Sequence, residues 1–141
     1  TTGGPKGVLL THRNVVANVA QVTAHADLLA PTDVVIAVLP FFHIYGLVPI
    51  MHGALRMGAT LVTLPRFELE GFLATIERYR ATVVFVAPPI VVALAKHPAV
   101  DRYDLSSVRV ILSGAAPLDE GLARRCAERV DCDVGQGYGM T

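Results

Sequence analysis

Apolar positions along the chain alternate between short runs rich in valine and isoleucine and stretches where apolar residues recur every three or four positions. The first pattern suits buried parallel strands and the second suits helices packed on them. Val34 to Leu39, Thr60 to Leu64, Val83 to Val86 and Val108 to Leu112 read as strands, Val8 to Leu10 is strand-like, and Asp133 to Gly135 adds a short one. Thr11 is a good N-cap for a helix from His12 to about Leu29, which Ala30-Pro31-Thr32 ends. Phe42 to Met57 reads as an apolar, largely buried helix, interrupted near Gly46 and Pro49 and stopped by Gly58. Glu68 to Tyr79 is amphipathic, with Leu69, Phe72, Leu73 and Ile76 on one face. Pro88-Pro89 opens a helix that continues from Ile90 to His97. A last helix begins around Pro117, with Asp119 and Glu120 in its first turn and Leu118, Leu122 and Cys126 on one face. Strands alternating with helices predict an α/β fold, a mostly parallel sheet with flanking helices.

One stretch invites another reading. Val34 to Leu55 runs for 22 residues without a formal charge, long enough to cross a bilayer, in a chain whose mean hydropathy is +0.50. It contains Pro40, Pro49, His43 and His52, and it opens on a β-branched strand pattern, which argues against a membrane span. The formal net charge of zero gives no basic field for nucleic acid. Cys126 and Cys132 are too few for a disulfide framework and lack metal-site spacing, so a cytoplasmic, reducing setting is expected.

Four segments carry candidate chemistry. Thr1-Thr2-Gly3-Gly4-Pro5-Lys6-Gly7 offers two hydroxyls, three glycines and a cation, the parts of a phosphate-binding loop, although it is no Walker A loop because Lys6 precedes Gly7 and not Ser or Thr. An ordinary Gly-Pro turn would read the same. His43 and Tyr45, with Gly46, follow a buried strand, where open α/β sheets bind ligands; a core histidine is the alternative. Gly114, Ala115 and Ala116, between a strand and a helix, leave room for a flat ring or simply make a tight turn. Gln136-Gly137-Tyr138-Gly139-Met140-Thr141 combines an aromatic ring with two glycines and a hydroxyl. Site-like residues at both ends also suggest that the chain is an internal piece of a longer protein.

The order of these four segments resembles the large N-terminal domain of the acyl-adenylate-forming, AMP-binding superfamily, and the resemblance spans nearly the whole chain. The wording LPFFHIYG, PRFELEGF, PPIVVALAKHP, YDLSSVRVILSGAAPL and GQGYGMT is most similar to 4-coumarate:CoA ligases and their bacterial relatives. The resemblance implies that residues 1–141 are a partial AMP-binding domain, a fragment lacking the C-terminal domain that turnover requires. It implies ATP, magnesium and coenzyme A as cofactors and a small carboxylic acid as substrate. Thr1, Thr2, Gly3, Gly4, Pro5, Lys6 and Gly7 would belong to the phosphate-binding loop, with Lys6 in a catalytic role. His43 would help position the carboxylate; Tyr45, Gly46, Gly114 and Gly137 would line the acid site. Gly114, Ala115, Ala116, Gln136, Gly137, Tyr138 and Gly139 would surround the adenylate, Thr141 would meet the α-phosphate, and Arg66 would meet a phosphate of CoA. No metal ligand is expected within the chain.

The implied activity is that of an acid:CoA ligase acting on an aromatic acid such as 4-coumarate. A fatty-acyl-CoA ligase and a noncatalytic nucleotide-binding module are the alternatives. A peptide-synthetase adenylation domain is disfavoured because His43 stands where such domains typically carry an aspartate that pairs the substrate ammonium, and an unpaired buried ammonium is costly.

Overall fold

The computed structural model describes residues 3–24 and 28–141. Five parallel strands form one sheet: β1 (Val34–Ala37), β2 (Thr60–Thr63), β3 (Val83–Val86), β4 (Val110–Ser113) and β5 (Asp133–Gln136), in the order β2-β1-β3-β4-β5. The chain leaves β1 toward β2 on one side and leaves β3 toward β4 on the other, so the winding reverses between β1 and β3. Crevices at such a reversal, beyond the carboxyl ends of the strands, are where open α/β sheets take ligands.

Both faces of the sheet are covered. One face packs Ile36, Val84, Val86 and Ile111 against α3 (Leu69–Tyr79), α4 (Pro88–Lys96) and α5 (Glu120–Val130). The other packs Val35, Ala37, Val83 and Phe85 against Leu29, Ile50 and Ala54. Every residue of β3 is therefore buried, which is why it reads as an unbroken apolar run and not as an alternation. The edge strands β2 and β5 are the more exposed ones.

Helix α1 (His12–Thr23) starts where expected: the Thr11 hydroxyl accepts from the Asn14 amide and the Asn14 side chain accepts from the Thr11 amide, a capping box. It ends earlier than Leu29; Leu28 to Ala30 are not helical, and the Asp33 carboxylate accepts from the Ala30 amide at 2.7 Å to close a turn there. Glu68 and Asp119 lie just outside α3 and α5 as their N-caps, so the last helix begins at Glu120 and not near Pro117. Strand β4 begins two residues later than expected and includes Ser113. Val8 to Leu10 form no strand; Leu9 is fully exposed, and no strand among the described residues accepts their backbone bonds.

The apolar stretch after β1 departs most from expectation. Gly46–His52 is a π-helix that runs into α2 (Gly53–Met57), and helical structure begins at Ile44 and not at Phe42. Pro49 lacks an N–H and its ring crowds the carbonyl four residues back, so a wider turn accommodates it. The Gly53 amide reaches the Val48 carbonyl five residues back, and His52 Nδ1 donates to the Leu47 carbonyl at 2.7 Å. No helix among the described residues is long and apolar enough to cross a membrane. Gly46 permits the start of this segment: a Cβ there would lie 2.2 Å from the Pro40 carbonyl oxygen.

A polar clip joins the three central strands at their N-terminal ends. Asp33, Thr82 and Arg109 precede β1, β3 and β4 by one residue. The Thr82 hydroxyl donates to Asp33 Oδ1 at 2.7 Å, Arg109 donates to both Asp33 oxygens at 3.1 and 2.7 Å, and the Leu28 carbonyl takes another Arg109 N–H. Burial alone would push the Asp33 carboxyl up, but the bonds from Arg109, Thr82 and the Ala30 amide outweigh it and hold its pKa below 3.8.

Two predictions follow from this packing. Asp33→Asn loses about 1.5–3 kcal/mol in urea unfolding, the cost of weakening hydrogen bonds to a charged group. Because the folded pKa is lowered, the ionised Asp33 contributes fully above pH 3.8 and its contribution fades as pH falls through the lower folded value; the Asn variant lacks that acid-dependent loss. Gly46→Ala costs about 1–3 kcal/mol, since its methyl meets backbone and not a side chain that could swing away; wild-type stability for this variant would refute the contact.

Candidate functional site

Two adjoining cavities lie at the carboxyl end of the sheet. The first, about 310 Å³, is walled by the His43–Pro49 segment, α1, Phe85, Leu112 and the loops after β4 and β5. The second, about 380 Å³, lies between Ala115-Ala116-Pro117 and Gln136 to Gly139. Ala115, Gly137, Tyr138 and Gly139 line both, so the two cavities share a wall.

Tyr45 organises the first cavity. Its ring lies so close over Gly114 that a Cβ there would meet ring carbons at 2.8 and 2.9 Å. Its hydroxyl donates to the Leu112 carbonyl at 3.0 Å, and its ring meets Phe85 edge-on with centroids 6.2 Å apart. Burial pushes the phenol well above its ordinary pKa, so it stays protonated and keeps donating. The Tyr45 amide in turn donates to His43 Nδ1 at 3.1 Å. A ring nitrogen that accepts carries no proton, so the neutral imidazole holds its proton on Nε2 and offers an N–H donor.

The wall shared by the two cavities is built on backbone constraint. Gly114 donates to the Val86 carbonyl, Gly137 donates to the Ser113 carbonyl, and Ala115 adopts a left-handed conformation with φ of 72°. The Gln136 side chain is turned onto Leu118, accepting from its amide at 2.9 Å and donating to its carbonyl at 3.0 Å. Tyr138 and Met140 are largely exposed at the rim.

The fold thus brings together His43, Tyr45, Gly114, Ala115, Ala116, Gln136, Gly137, Tyr138 and Gly139 from three distant stretches of sequence. Gly46 is buried behind the first cavity against Pro40. Gly3, Gly4, Pro5, Lys6 and Gly7 lie on an exposed, irregular segment, and Arg66 is exposed on the loop after β2; none of these lines either cavity, nor does Thr141. Thr1 and Thr2 lie outside the described residues.

Asn18, Val22, Val48, Pro49, Phe85 and Leu112 line the first cavity without having been singled out in the sequence. Two signals point to them: Asn18 and Val22 are one helical turn apart, and Phe85 and Leu112 are direct partners in the parallel register, so they share a sheet face. Among the described residues no group of three or more His, Cys, Asp or Glu could hold a metal ion. Burial pushes the Cys126 thiol up to about 11, and burial with the neighbouring Cys126, Asp133 and Asp131 pushes Cys132 up to about 12, so neither supplies a thiolate near neutral pH.

The sequence and the fold both have counterparts among known proteins. 4-coumarate-CoA ligase 2 of Oryza sativa subsp. japonica is 50% identical over the whole chain, which spans 26% of that protein. A red-emitting luciferase from Phrixothrix hirtus superposes with a TM-score of 0.84 at 36% identity, over 94% of this chain and 25% of that one. The inhibitor-bound N-terminal domain of FACL13 from Mycobacterium tuberculosis does so with a TM-score of 0.86 at 28% identity, over 99% of this chain and 34% of that one. The chain therefore spans about a quarter of the length of the curated relatives it matches. The model of the family described as AMP-binding enzyme matches residues 1–141, and the parallel sheet with flanking helices is that of the N-terminal domains of adenylate-forming enzymes. The chain belongs to the AMP-binding enzyme family.

Proposed function

We propose that this chain forms the acid site and part of the nucleotide site of an ATP-dependent acid:CoA ligase acting on an aromatic acid such as 4-coumarate. The observation that supports this reading is the pair of cavities sharing one wall. Condensing an acid with a nucleotide requires an apolar chamber and a nucleotide shelf that meet where the two reacting groups meet. The first cavity is at the small end of the ordinary ligand-site range of about 300–1,000 Å³. Its aromatic walls, Tyr45 and Phe85, suit a planar ring.

In this reading the carboxylate lies near His43, whose Nε2–H donates to it and orients it. A carboxylate oxygen attacks the α-phosphorus of ATP, a new P–O bond forms and pyrophosphate leaves. The thiol of CoA, as its thiolate, then attacks the acyl carbon and AMP departs. The protein supplies placement and hydrogen bonds; no protein nucleophile enters, in accord with the two protonated, inward-lying thiols. The adenine would rest between Ala115-Ala116 and Gly137-Tyr138-Gly139, with Thr141 toward the α-phosphate. The exposed segment of Gly3 to Gly7, with Lys6, would close on the outer phosphates from outside the cavities, and Arg66 would meet a CoA phosphate. Magnesium finds no ligand set among the described residues. Residues 1–141 are read as part of the large N-terminal domain of a cytoplasmic enzyme, whose C-terminal domain turnover requires.

Acid-dependent ATP-pyrophosphate exchange by the complete enzyme, over hydroxycinnamates, benzoates and fatty acids, tests the reading. Exchange led by 4-coumarate or a close analogue, followed by CoA thioester formation, is expected; exchange led by fatty acids refutes the aromatic assignment, and exchange with no acid refutes the ligase. His43→Ala lowers kcat/KM for the acid about 10- to 150-fold, the equivalent of about 1.5–3 kcal/mol for one hydrogen bond to a charged group, while ATP binding without acid changes little.

A further inference from the structure

Gln136 lies in the glycine-rich segment after β5 that the proposed function gives to the nucleotide, yet its side chain is otherwise occupied. Its amide oxygen accepts from the Leu118 N–H at 2.9 Å and its amide nitrogen donates to the Leu118 carbonyl at 3.0 Å. A primary amide answers a peptide unit in this way, donor to acceptor and acceptor to donor, and neither a carboxylate nor an apolar side chain does so.

What the clamp holds is a short arch. Gly114 is tied to β3 through the Val86 carbonyl, and Leu118 is buried in the core beneath α5, so only Ala115, Ala116 and Pro117 span the gap. Pro117 has a fixed φ, and Ala115 sits at φ 72°, a conformation unfavourable for any residue with a Cβ. Strain of this kind persists only where the surroundings overdetermine it. The arch is the wall between the two cavities, and facing it across the second cavity is the chain that Gln136 leads into, itself tied to Ser113 through Gly137.

Resting on the nucleotide-site reading above, we propose that Gln136 is a positioning residue: its clamp on Leu118 holds the strained Ala115 arch and sets the gap into which the nucleotide fits, with no side-chain contact to the nucleotide. The clamp is made entirely within the protein, between one side chain and one peptide unit, so its loss is expected to register in enzyme free of nucleotide.

The test uses the complete enzyme carrying Gln136→Met, which keeps length and loses both bonds, and Gln136→Glu, which keeps only the acceptor. In nucleotide-free enzyme, hydrogen exchange of the peptide containing Leu118 is expected to accelerate in Gln136→Met, which leaves the Leu118 N–H without its acceptor. ATP affinity measured by calorimetry without acid is expected to fall about 10-fold in Gln136→Met, as two ordinary hydrogen bonds allow. In Gln136→Glu the loss relative to wild type is expected to shrink as pH is lowered from 8 to 5, because a protonated carboxyl again donates to the Leu118 carbonyl. Weaker ATP binding by Gln136→Met with unchanged Leu118 exchange in its nucleotide-free form would show a direct nucleotide contact and overturn the proposal. Unchanged ATP affinity in Gln136→Met would overturn it as well. Failure of the wild-type enzyme to bind ATP would instead strike the nucleotide-site reading itself. If Gln136→Met does not fold, Gln136→Glu across the pH range decides alone.

Discussion

The Tyr45 ring lying on Gly114 is the contact on which the rest of the site depends. It joins the segment after β1 to the exit of β4, two stretches nearly seventy residues apart that the sheet itself does not pair, since β3 lies between them. The hydroxyl bond to Leu112 fixes the ring's height, the missing Cβ at Gly114 fixes its depth, and Phe85 closes its edge. From that anchored residue the backbone amide reaches back to His43 and selects its tautomer. One aromatic residue therefore sets both the floor of a cavity and the protonation pattern of the histidine at its mouth. Any side chain at position 114 would displace the ring and disturb both.

The two ends of the sheet carry different chemistry for a physical reason. At the amino end, Asp33, Thr82 and Arg109 satisfy one another and the backbone around them, so a buried carboxylate stays charged and joins three strands. Four donors, from Ala30, Thr82 and twice from Arg109, occupy the acceptor positions of that carboxylate. At the carboxyl end the loops turn on glycine and alanine, leave backbone close to open space, and present groups such as His43 Nε2, for which the described residues supply no partner. A sheet made rigid at one end can carry a concave, lightly padded edge at the other.

Much of this was legible in the sequence. Strands β1 to β4 follow from β-branched runs, and Thr11, Pro88 and Gly58 mark helix boundaries where the structure has them. The residues of the shared wall were legible too, because small residues between a strand and a helix limit what else can sit there. The failures also have causes. Val8 to Leu10 have strand composition but no neighbouring strand to bond, and composition carries no information on partners. Pro49 was visible as an interruption, but whether a proline kinks, breaks or widens a helix depends on what surrounds it, here the close approach of Gly46 to Pro40. The lining residues Phe85 and Leu112 became site residues only through register, which a single sequence does not print.

Ala115 shows why the shared wall is not made of glycine throughout. Glycine at 115 would relieve the left-handed strain, which costs about 1–3 kcal/mol for a residue with a Cβ. It would also remove the methyl of a residue that lines both cavities and give the arch a wider choice of conformations between its ties at Gly114 and Leu118. Two ligands that react at a common border need that border held still, because an error of about 1 Å in placing reacting atoms can cost about a hundredfold in rate. The strained alanine is thus the stiffer solution, and it is tolerable because bonds at both ends of the arch, to Val86 and to Gln136, leave the chain little freedom to escape it.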